Sequence, residues 1–258
     1  MDFPDRLAAA VAAAGSPLCV GLDPRVEHGD DTLDFCLAIT EATAPYAAAF
    51  KPNLAFFECR GAAGWADLEA LCGAIRATGR LLVLDGKRGD IGSTADRYAE
   101  SLFDTLAGDA ATVAPYMGTD SIAPFLTRAG RCAFVLVATS NPGASDLQTL
   151  DVDGEPLYRH TARMAAAAGA GAAGTVGFVV GGTRPALLRE LREEHPHVPF
   201  LVPGVGAQGG STDEVVAANA GGPMLVNASR SILYASEGPD FAAAAGRAAA
   251  QLSEELAA

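Results

Sequence analysis

The sequence predicts a single (β/α)8 barrel, also called a TIM barrel, over residues 1–258. Short apolar runs recur eight times along the chain, and a segment of helical character follows each run. The length of 258 residues also agrees with the usual size of such a barrel, about 250 residues. A doubly wound sheet would show the same alternation. It usually has fewer strands, so the count favours the barrel.

The apolar runs are rich in branched residues and do not alternate with polar ones. This pattern is typical of strands that are buried on both faces of a parallel sheet. In chain order, the predicted strands are Leu18–Leu22, Ala47–Phe50, Leu81–Leu84, Ala110–Val113, Ala133–Val137, Val176–Val180, Phe200–Val202 and Met224–Val226.

The segments between the runs have helical composition and end signals. The first helix, Leu7–Ala14, ends at Gly15, which suits a left-handed C-terminal position. Ser211 and Glu214 have the spacing of a capping box, and Pro185 suits a first helical turn. The other predicted helices are Leu33–Ala44, Trp65–Thr78, Thr94–Ala107, Glu155–Ala168, Arg184–Glu194 and Ser211–Ala220.

The composition narrows the classes of partner and compartment. Eighteen basic against 31 acidic residues give a net charge of −13, which argues against general binding of nucleic acid or anionic membranes. Five cysteines without a C-x-x-C pair indicate buried thiols rather than disulfides or zinc, and no apolar run approaches the ~20 residues of a membrane span. His195 and His197 are expected in a solvated loop. We therefore predict a cytoplasmic protein without a metal site.

Charged residues follow the second and third predicted strands. Asp85 and Lys87 are two residues apart at a strand end, so both side chains can point into the barrel mouth, where barrel enzymes have their active sites. Asp90 follows three residues later, and Lys51 comes from the neighbouring strand. A surface cluster of salt bridges is the alternative. Four charges converging at strand ends favour a catalytic array, because active sites tolerate the cost of buried charge.

A second group of polar residues follows the last two strands. A glycine-rich segment runs from Pro203 to Gly210, and Ser229 and Arg230 come after the eighth strand. Loops at these two positions form the recurrent phosphate site of barrel enzymes, and Gln208 and Arg230 supply donors. The segment also fits a dinucleotide fingerprint. The absence of an acidic residue closing the next strand argues against that interpretation.

These motifs together resemble the orotidine 5′-phosphate decarboxylase family, in particular its longer bacterial branch. The resemblance extends from Gly21-Leu-Asp-Pro24 to Arg230. Its decisive motif is Asp85-Gly-Lys87-Arg-Gly-Asp90-Ile91, where Gly92 stands in place of the proline that often follows. The supporting motifs are Phe50-Lys-Pro-Asn53, Thr139-Ser-Asn-Pro-Gly143, Pro203-Gly-Val-Gly206 and Arg230-Ser-Ile232.

The resemblance implies decarboxylation of orotidine 5′-phosphate to uridine 5′-phosphate, a step of pyrimidine synthesis, without a cofactor. Lys87 would stabilise a carbanion at C6 of the pyrimidine and protonate it, while Asp85 would crowd the departing carboxylate. Lys51 and Asp90 would hold the array. The expected substrate contacts are Asp23 and Lys51 on the ribose, Ser140 on the pyrimidine, and Gln208 and Arg230 on the phosphate, with Pro203 and Ser229 beside them.

The resemblance also implies a homodimer, in which Asp90, Ile91 and Thr94 reach the site of the adjoining subunit. Three other functions stay open from the residues alone. A metal-dependent enzyme acting on a sugar phosphate would need further ligands at other strand ends. A Schiff-base aldolase would need a neutral amine at Lys87, which flanking carboxylates disfavour. A non-catalytic phosphate-binding barrel would have no use for the lysine and aspartate array.

Overall fold

Eight parallel strands close into a barrel in the computed structural model, which describes residues 1–25, 31–205 and 210–257. Each barrel strand pairs in parallel with the barrel strands that come before and after it along the chain, and the last strand pairs with the first. Helices lie between the strands along the chain. The predicted (β/α)8 barrel is confirmed.

Each of the eight predicted runs forms a barrel strand. The strands are β1 (Leu18–Leu22), β2 (Ala49–Pro52), β3 (Leu81–Arg88), β4 (Ala110–Val113), β5 (Cys132–Ala138), β8 (Thr175–Val180), β9 (Phe200–Pro203) and β10 (Met224–Ala228). The two remaining strands, β6 (Asp151–Val152) and β7 (Glu155–Pro156), form a small antiparallel hairpin outside the barrel.

The helices of the described part begin with α1 (Phe3–Ala14), which starts before the predicted Leu7 because Asp2 caps it by accepting the N–H of Asp5. The others are α2 (Thr32–Thr43), α3 (Ala55–Glu58), α4 (Gly61–Ala77), α5 (Gly92–Glu100), α6 (Leu157–Gly169), α7 (Pro185–Glu194), α8 (Thr212–Asn219), α9 (Arg230–Leu233) and α10 (Phe241–Ala257). Ser211 caps α8 by accepting the N–H of Glu214, as its spacing predicted.

Alternate residues of each strand enter two different cores, which is why the runs are apolar throughout. One set packs outward against the helices. The other set fills the barrel interior, and Phe3 and Leu7 of α1 join it. The edge of the Phe3 ring packs against Phe134, with ring centroids 5.9 Å apart. We call the end of the barrel near α1 the floor. The opposite end, where the strands finish, is the mouth.

Several boundaries differ from the prediction for local reasons. Strand β3 continues four residues past Leu84, because Arg88 at its end still pairs with Val113 of β4. Helix α6 begins at Leu157 rather than Glu155, since the preceding residues belong to the hairpin. Its turn, Asp153-Gly154, has two positive φ angles, 54° and 85°. The Asp-Gly pair was a sequence signal for this turn.

Two expectations about side chains need correction. Four of the cysteines are buried, but Cys59 is exposed at the end of the short helix α3. His195 is only partly exposed because its ring packs edge-on against Phe178, 5.1 Å away. Within the described ranges, no helix has the length and apolar character that would be needed to cross a membrane.

Candidate active site

Three charged side chains form a hydrogen-bonded array in the mouth. Lys51, at the end of β2, donates a hydrogen bond from Nζ to Asp85 Oδ2 at 2.8 Å. Lys87 donates from Nζ to the other oxygen of the same carboxylate, Oδ1, at 2.7 Å. The side chain of Lys51 is 5% exposed and that of Lys87 is 49% exposed. The carboxylate is therefore held between one buried ammonium and one that faces the open mouth.

The array keeps its charges in spite of its burial. Burial by itself would raise the pKa of Asp85, but the ammoniums of Lys51 and Lys87 hold this pKa well below the usual value for a carboxyl. Burial would lower the pKa of Lys51, but the carboxylates of Asp85 and Asp23 raise it above the usual value for a lysine. The electrostatic attraction outweighs desolvation in both cases, so we expect both groups to be ionised at neutral pH.

Strand alternation explains only part of why these side chains meet. It turns Val83 and Asp85 into the barrel. Lys87 departs from regular strand geometry, with a φ angle of 45°, and its Nζ reaches Asp85 from there. The predicted placement of Asp85 and Lys87 on one face is thus what the structure shows. The full sequence contains only two lysines, and both are in this array. That scarcity is a further signal for the site in the sequence.

Thr112 also belongs to the site, and the motifs did not identify it. It lies on β4, within one of the eight apolar runs, and it is 2% exposed. Its hydroxyl contacts both Asp85 and the backbone of Lys87. A polar residue at an inward position of an otherwise apolar strand is the sequence signal that could have found it.

The array opens into a cavity of about 220 Å³. Apolar side chains from β5, β8 and β9 form one wall, opposite the charges. The lining residues are Lys51, Asp85, Lys87, Thr112, Leu136, Thr139, Ser140, Asn141, Val179, Leu201 and Pro203. A larger cavity, about 710 Å³, lies beside Arg25 and Tyr234. The lysines and Asp85 line the smaller one, so chemistry rather than size identifies the site.

Unpartnered polar atoms lie where β1 and β10 meet. Asp23 Oδ1, Asn227 Oδ1 and Ser229 Oγ are buried, and none has a hydrogen-bond partner among the described residues. Gly21 allows this close approach, because a Cβ there would lie 2.9 Å from the Cβ of Ser229. Buried polar groups without partners are rare in proteins, so this corner is suited to binding a polar ligand.

The loop after β5 carries Ser140 into the cavity lining, and a side-chain clamp fixes the residue before it. Gln148 accepts the N–H of Thr139 at 2.8 Å and donates to the hydroxyl of Thr139 at 2.8 Å. That hydroxyl in turn donates to Asn141 at 2.6 Å. The clamp holds both neighbours of Ser140 in place.

Among the other predicted site residues, those that the structure describes lie around the rim of the mouth. Arg230 begins α9 and is exposed, while Gln208 lies outside the described residues. Asp90, Ile91 and Thr94 follow β3 and do not line the cavity. The carboxylate of Asp90 accepts the N–H of Ile91 at 2.8 Å, and Ile91 is 50% exposed. Within one chain, the structure joins Lys51, Asp85 and Lys87 but leaves Asp90 outside their array.

Comparison with known proteins gives one consistent result. A family model described as "Orotidine 5'-phosphate decarboxylase / HUMPS family" matches residues 16–245. A protein of Roseiflexus castenholzii named orotidine 5′-phosphate decarboxylase is 48% identical, and the match covers 99% of this chain and 97% of that relative. A relative of the same name from Variovorax paradoxus is 47% identical, with 99% and 98% covered.

Solved structures agree in fold and in sequence. The structure of Leishmania donovani OMP decarboxylase has a TM-score of 0.86 and 40% identity, with both chains fully covered. Leishmania donovani UMP synthase has a TM-score of 0.88 and 42% identity, covering 99% of this chain and 56% of that one. The chain therefore belongs to the orotidine 5′-phosphate decarboxylase family.

Proposed function

We propose that this protein is a carboxy-lyase that converts orotidine 5′-phosphate to uridine 5′-phosphate and CO₂. The observation that carries the proposal is the Lys51–Asp85–Lys87 array, which faces a small cavity at the barrel mouth. Relatives that match nearly the whole chain bear the name of this activity, which supports the same choice.

In the proposed reaction the bond between C6 and the carboxylate carbon breaks, and CO₂ leaves. The electron pair stays on C6, where the ammonium of Lys87 stabilises the negative charge and then donates a proton. Lys87 recovers its proton from solvent, which its 49% exposure permits. The array is fixed before substrate binds, so little reorganisation is needed as charge develops. The fixed charges of the chain supply this chemistry, and the proposal includes no cofactor or metal.

Each member of the array has a separate part. Asp85 lies against both ammoniums, and its negative charge crowds the departing carboxylate of the substrate. Lys51 neutralises Asp85 from the buried side, so the carboxylate stays ionised inside the barrel. The apolar wall that Leu136 and Val179 contribute favours release of CO₂, which is uncharged, over retention of a carboxylate.

The rest of the substrate would extend from the array toward the rim. Asp23 and Lys51 are proposed to bind the ribose hydroxyls, consistent with the unpartnered Oδ1 of Asp23. Ser140 would contact the pyrimidine from the loop after β5. The phosphate would lie beside Pro203, Gln208, Ser229 and Arg230, where an exposed guanidinium follows β10.

The working unit is proposed to be a homodimer. Asp90, Ile91 and Thr94 lie next to the mouth without entering their own cavity, so they are placed to serve a second site. In the neighbouring loop after β4, Tyr116 is 84% exposed and Met117 is 47% exposed. Apolar side chains exposed on adjacent loops are typical of a surface that a partner covers. The proposed role in pyrimidine synthesis rests on the family, and the proposed cytoplasmic location rests on the cysteine usage and the lack of a long apolar run in the sequence.

Incubation of the purified protein with orotidine 5′-phosphate tests the activity directly. The pyrimidine absorbance should change as uridine 5′-phosphate forms, and exhaustive chelation should leave the rate unchanged. A protein that ignores this substrate but acts on a sugar phosphate with an added divalent ion would contradict the proposal.

A further inference from the structure

Thr112 makes two contacts that connect the catalytic array to the backbone that carries it. Its hydroxyl donates to Asp85 Oδ1 at 2.8 Å and accepts the backbone N–H of Lys87 at 2.9 Å. The same oxygen of Asp85 also accepts a hydrogen bond from Nζ of Lys87. One hydroxyl therefore contacts both residues that are proposed to do the chemistry.

The direction of these bonds is fixed. A backbone N–H can only donate, and the low pKa of Asp85 makes its carboxylate an acceptor only. The hydroxyl proton of Thr112 must therefore point at Asp85 while a lone pair faces Lys87. A valine at this position would have the same shape but could make neither bond.

The backbone at Lys87 is in a conformation that needs support. Its φ angle is 45°, in the left-handed region that residues other than glycine rarely adopt. Leu84 pairs with Ala111 and Arg88 pairs with Val113, so three residues of β3 face the single residue Thr112 of β4. Regular pairing between backbone groups is interrupted at this point. The Thr112 hydroxyl gives the Lys87 N–H the acceptor that the interrupted ladder does not.

We infer that Thr112 is a positioning residue for the reaction, acting through Asp85 and the left-handed backbone of Lys87. This inference rests on the proposed function, because the geometry that Thr112 fixes is the geometry of the Lys87 ammonium. The hydroxyl limits where Nζ of Lys87 can lie relative to Asp85. It lies on the barrel side of the array, away from the exposed rim where the phosphate is proposed to bind.

Kinetics of Thr112→Val and Thr112→Ser would separate the hydroxyl from the shape of the side chain. For the valine variant we expect kcat to fall about 10- to 100-fold, as for loss of a hydrogen bond to a charged group. KM should change less than about threefold, because the ribose and phosphate contacts are intact. The serine variant should keep kcat within about fivefold of the parent, since it retains the hydroxyl.

A valine variant with kcat within twofold of the parent, or a serine variant as slow as the valine variant, would overturn the inference. If the valine variant does not fold, Thr112→Ala replaces it. Serine and alanine both lose the methyl group and differ only in the hydroxyl, so the same comparison holds.

Lysine-selective ¹⁵N labelling gives a readout that does not depend on activity. The chain has two lysines, so two backbone amide signals are expected, and Lys87→Arg identifies the one from Lys87. In Thr112→Val the Lys87 amide should shift upfield while the Lys51 amide stays in place. In Thr112→Ser both should stay. An unmoved Lys87 amide would refute the inference even in an active enzyme. A parent that does not decarboxylate orotidine 5′-phosphate would instead refute the proposed function.

Discussion

Both ends of the barrel bury charge, but they stabilise it in different ways. In the mouth, Lys51 and Asp85 neutralise each other, and the neighbouring Lys87 stays half exposed. Near the floor, Arg192 is 4% exposed and has no carboxylate partner among the described residues. Its guanidinium instead donates to Asn219 and to backbone carbonyls. These belong to His195, Pro196, Val198 and Pro223.

The two arrangements have different consequences for the protein. Burial lowers the pKa of Arg192 to about 10, because neutral carbonyls compensate only part of the lost hydration. In return, this side chain joins the loops that precede β9 and β10, and it stacks 3.6 Å from the centre of the Phe200 ring. Every bond of Arg192 is made inside the fold. The mouth retains a half-exposed ammonium, and oxygens there have no partner among the described residues, so it is suited to a ligand.

The largest expected effect concerns Lys87 in the mouth. Lys87→Ala should lower kcat by about three orders of magnitude or more, because the lost charge acts mainly in the transition state. Stability should change little, since the side chain is half exposed and Lys51 still neutralises Asp85. Steady-state kinetics, thermal unfolding and uridine 5′-phosphate titration measure the three quantities. Near-normal kcat in the folded variant would rule out the proposed role.

The opposite result is expected for Arg192 near the floor. Arg192→Met should lower the free energy of unfolding by about 3 kcal/mol, because several buried acceptors lose their donor. The kcat of the folded fraction should be unchanged. Arg189→Met is the matched control on the same helix. Its side chain is exposed, so the change should be within about 0.5 kcal/mol. Urea unfolding would show whether the two variants differ.

The sequence predicted the mouth better than the floor. The inward position of Asp85 after an apolar run follows from strand alternation, which is a local rule. Thr112 and Arg192 depend on contacts between distant segments: one meets the interrupted pairing of β3, and the other joins two loops of the floor. Strand alternation can mark Thr112 as inward-facing, but no spacing rule reports which groups these two residues contact. Asp90 was recognised by its motif, but no distance within one chain explains its role.

Arg230 tests whether the rim of the mouth binds phosphate. Arg230→Ala should weaken the binding of uridine 5′-phosphate by about 10- to 100-fold, as for loss of a charge-assisted hydrogen bond. The affinity for uridine, which has no phosphate, should barely change. Arg247→Ala removes an exposed arginine of α10 and should affect neither ligand. Calorimetric titration of each variant with both ligands measures how much each affinity changes. Equal weakening of nucleotide and nucleoside would place Arg230 outside the phosphate site.

A subunit-mixing experiment asks whether the mouth of one chain is complete. If Asp90 serves the partner, a dimer of Lys87→Ala and Asp90→Ala subunits has one intact site and one doubly defective site. Random mixing makes about half of the dimers hybrid, so roughly a quarter of wild-type activity should appear. Mass-tagged subunits verify the exchange, and each parent variant must be nearly inactive alone. Verified hybrids without added activity would show that Asp90 serves its own chain.

The smallest expected effect is a pH dependence that belongs to the floor. Burial lowers the pKa of His195, and the positive charges of Arg163 and Arg192 lower it further. The unfolded chain therefore binds this proton more tightly than the folded chain does, and the stability that His195 contributes is lost as pH falls below about 6.5, the ordinary value for histidine. His195→Gln should flatten the loss of unfolding free energy between pH 7.5 and pH 5.5. His197→Gln, at an exposed position two residues away, should leave it as in the parent. Because the array in the mouth lies at the opposite end of the barrel, kcat should keep its parental pH profile in both variants. An unchanged pH dependence of stability in His195→Gln would mean that the floor does not sense protons through this residue.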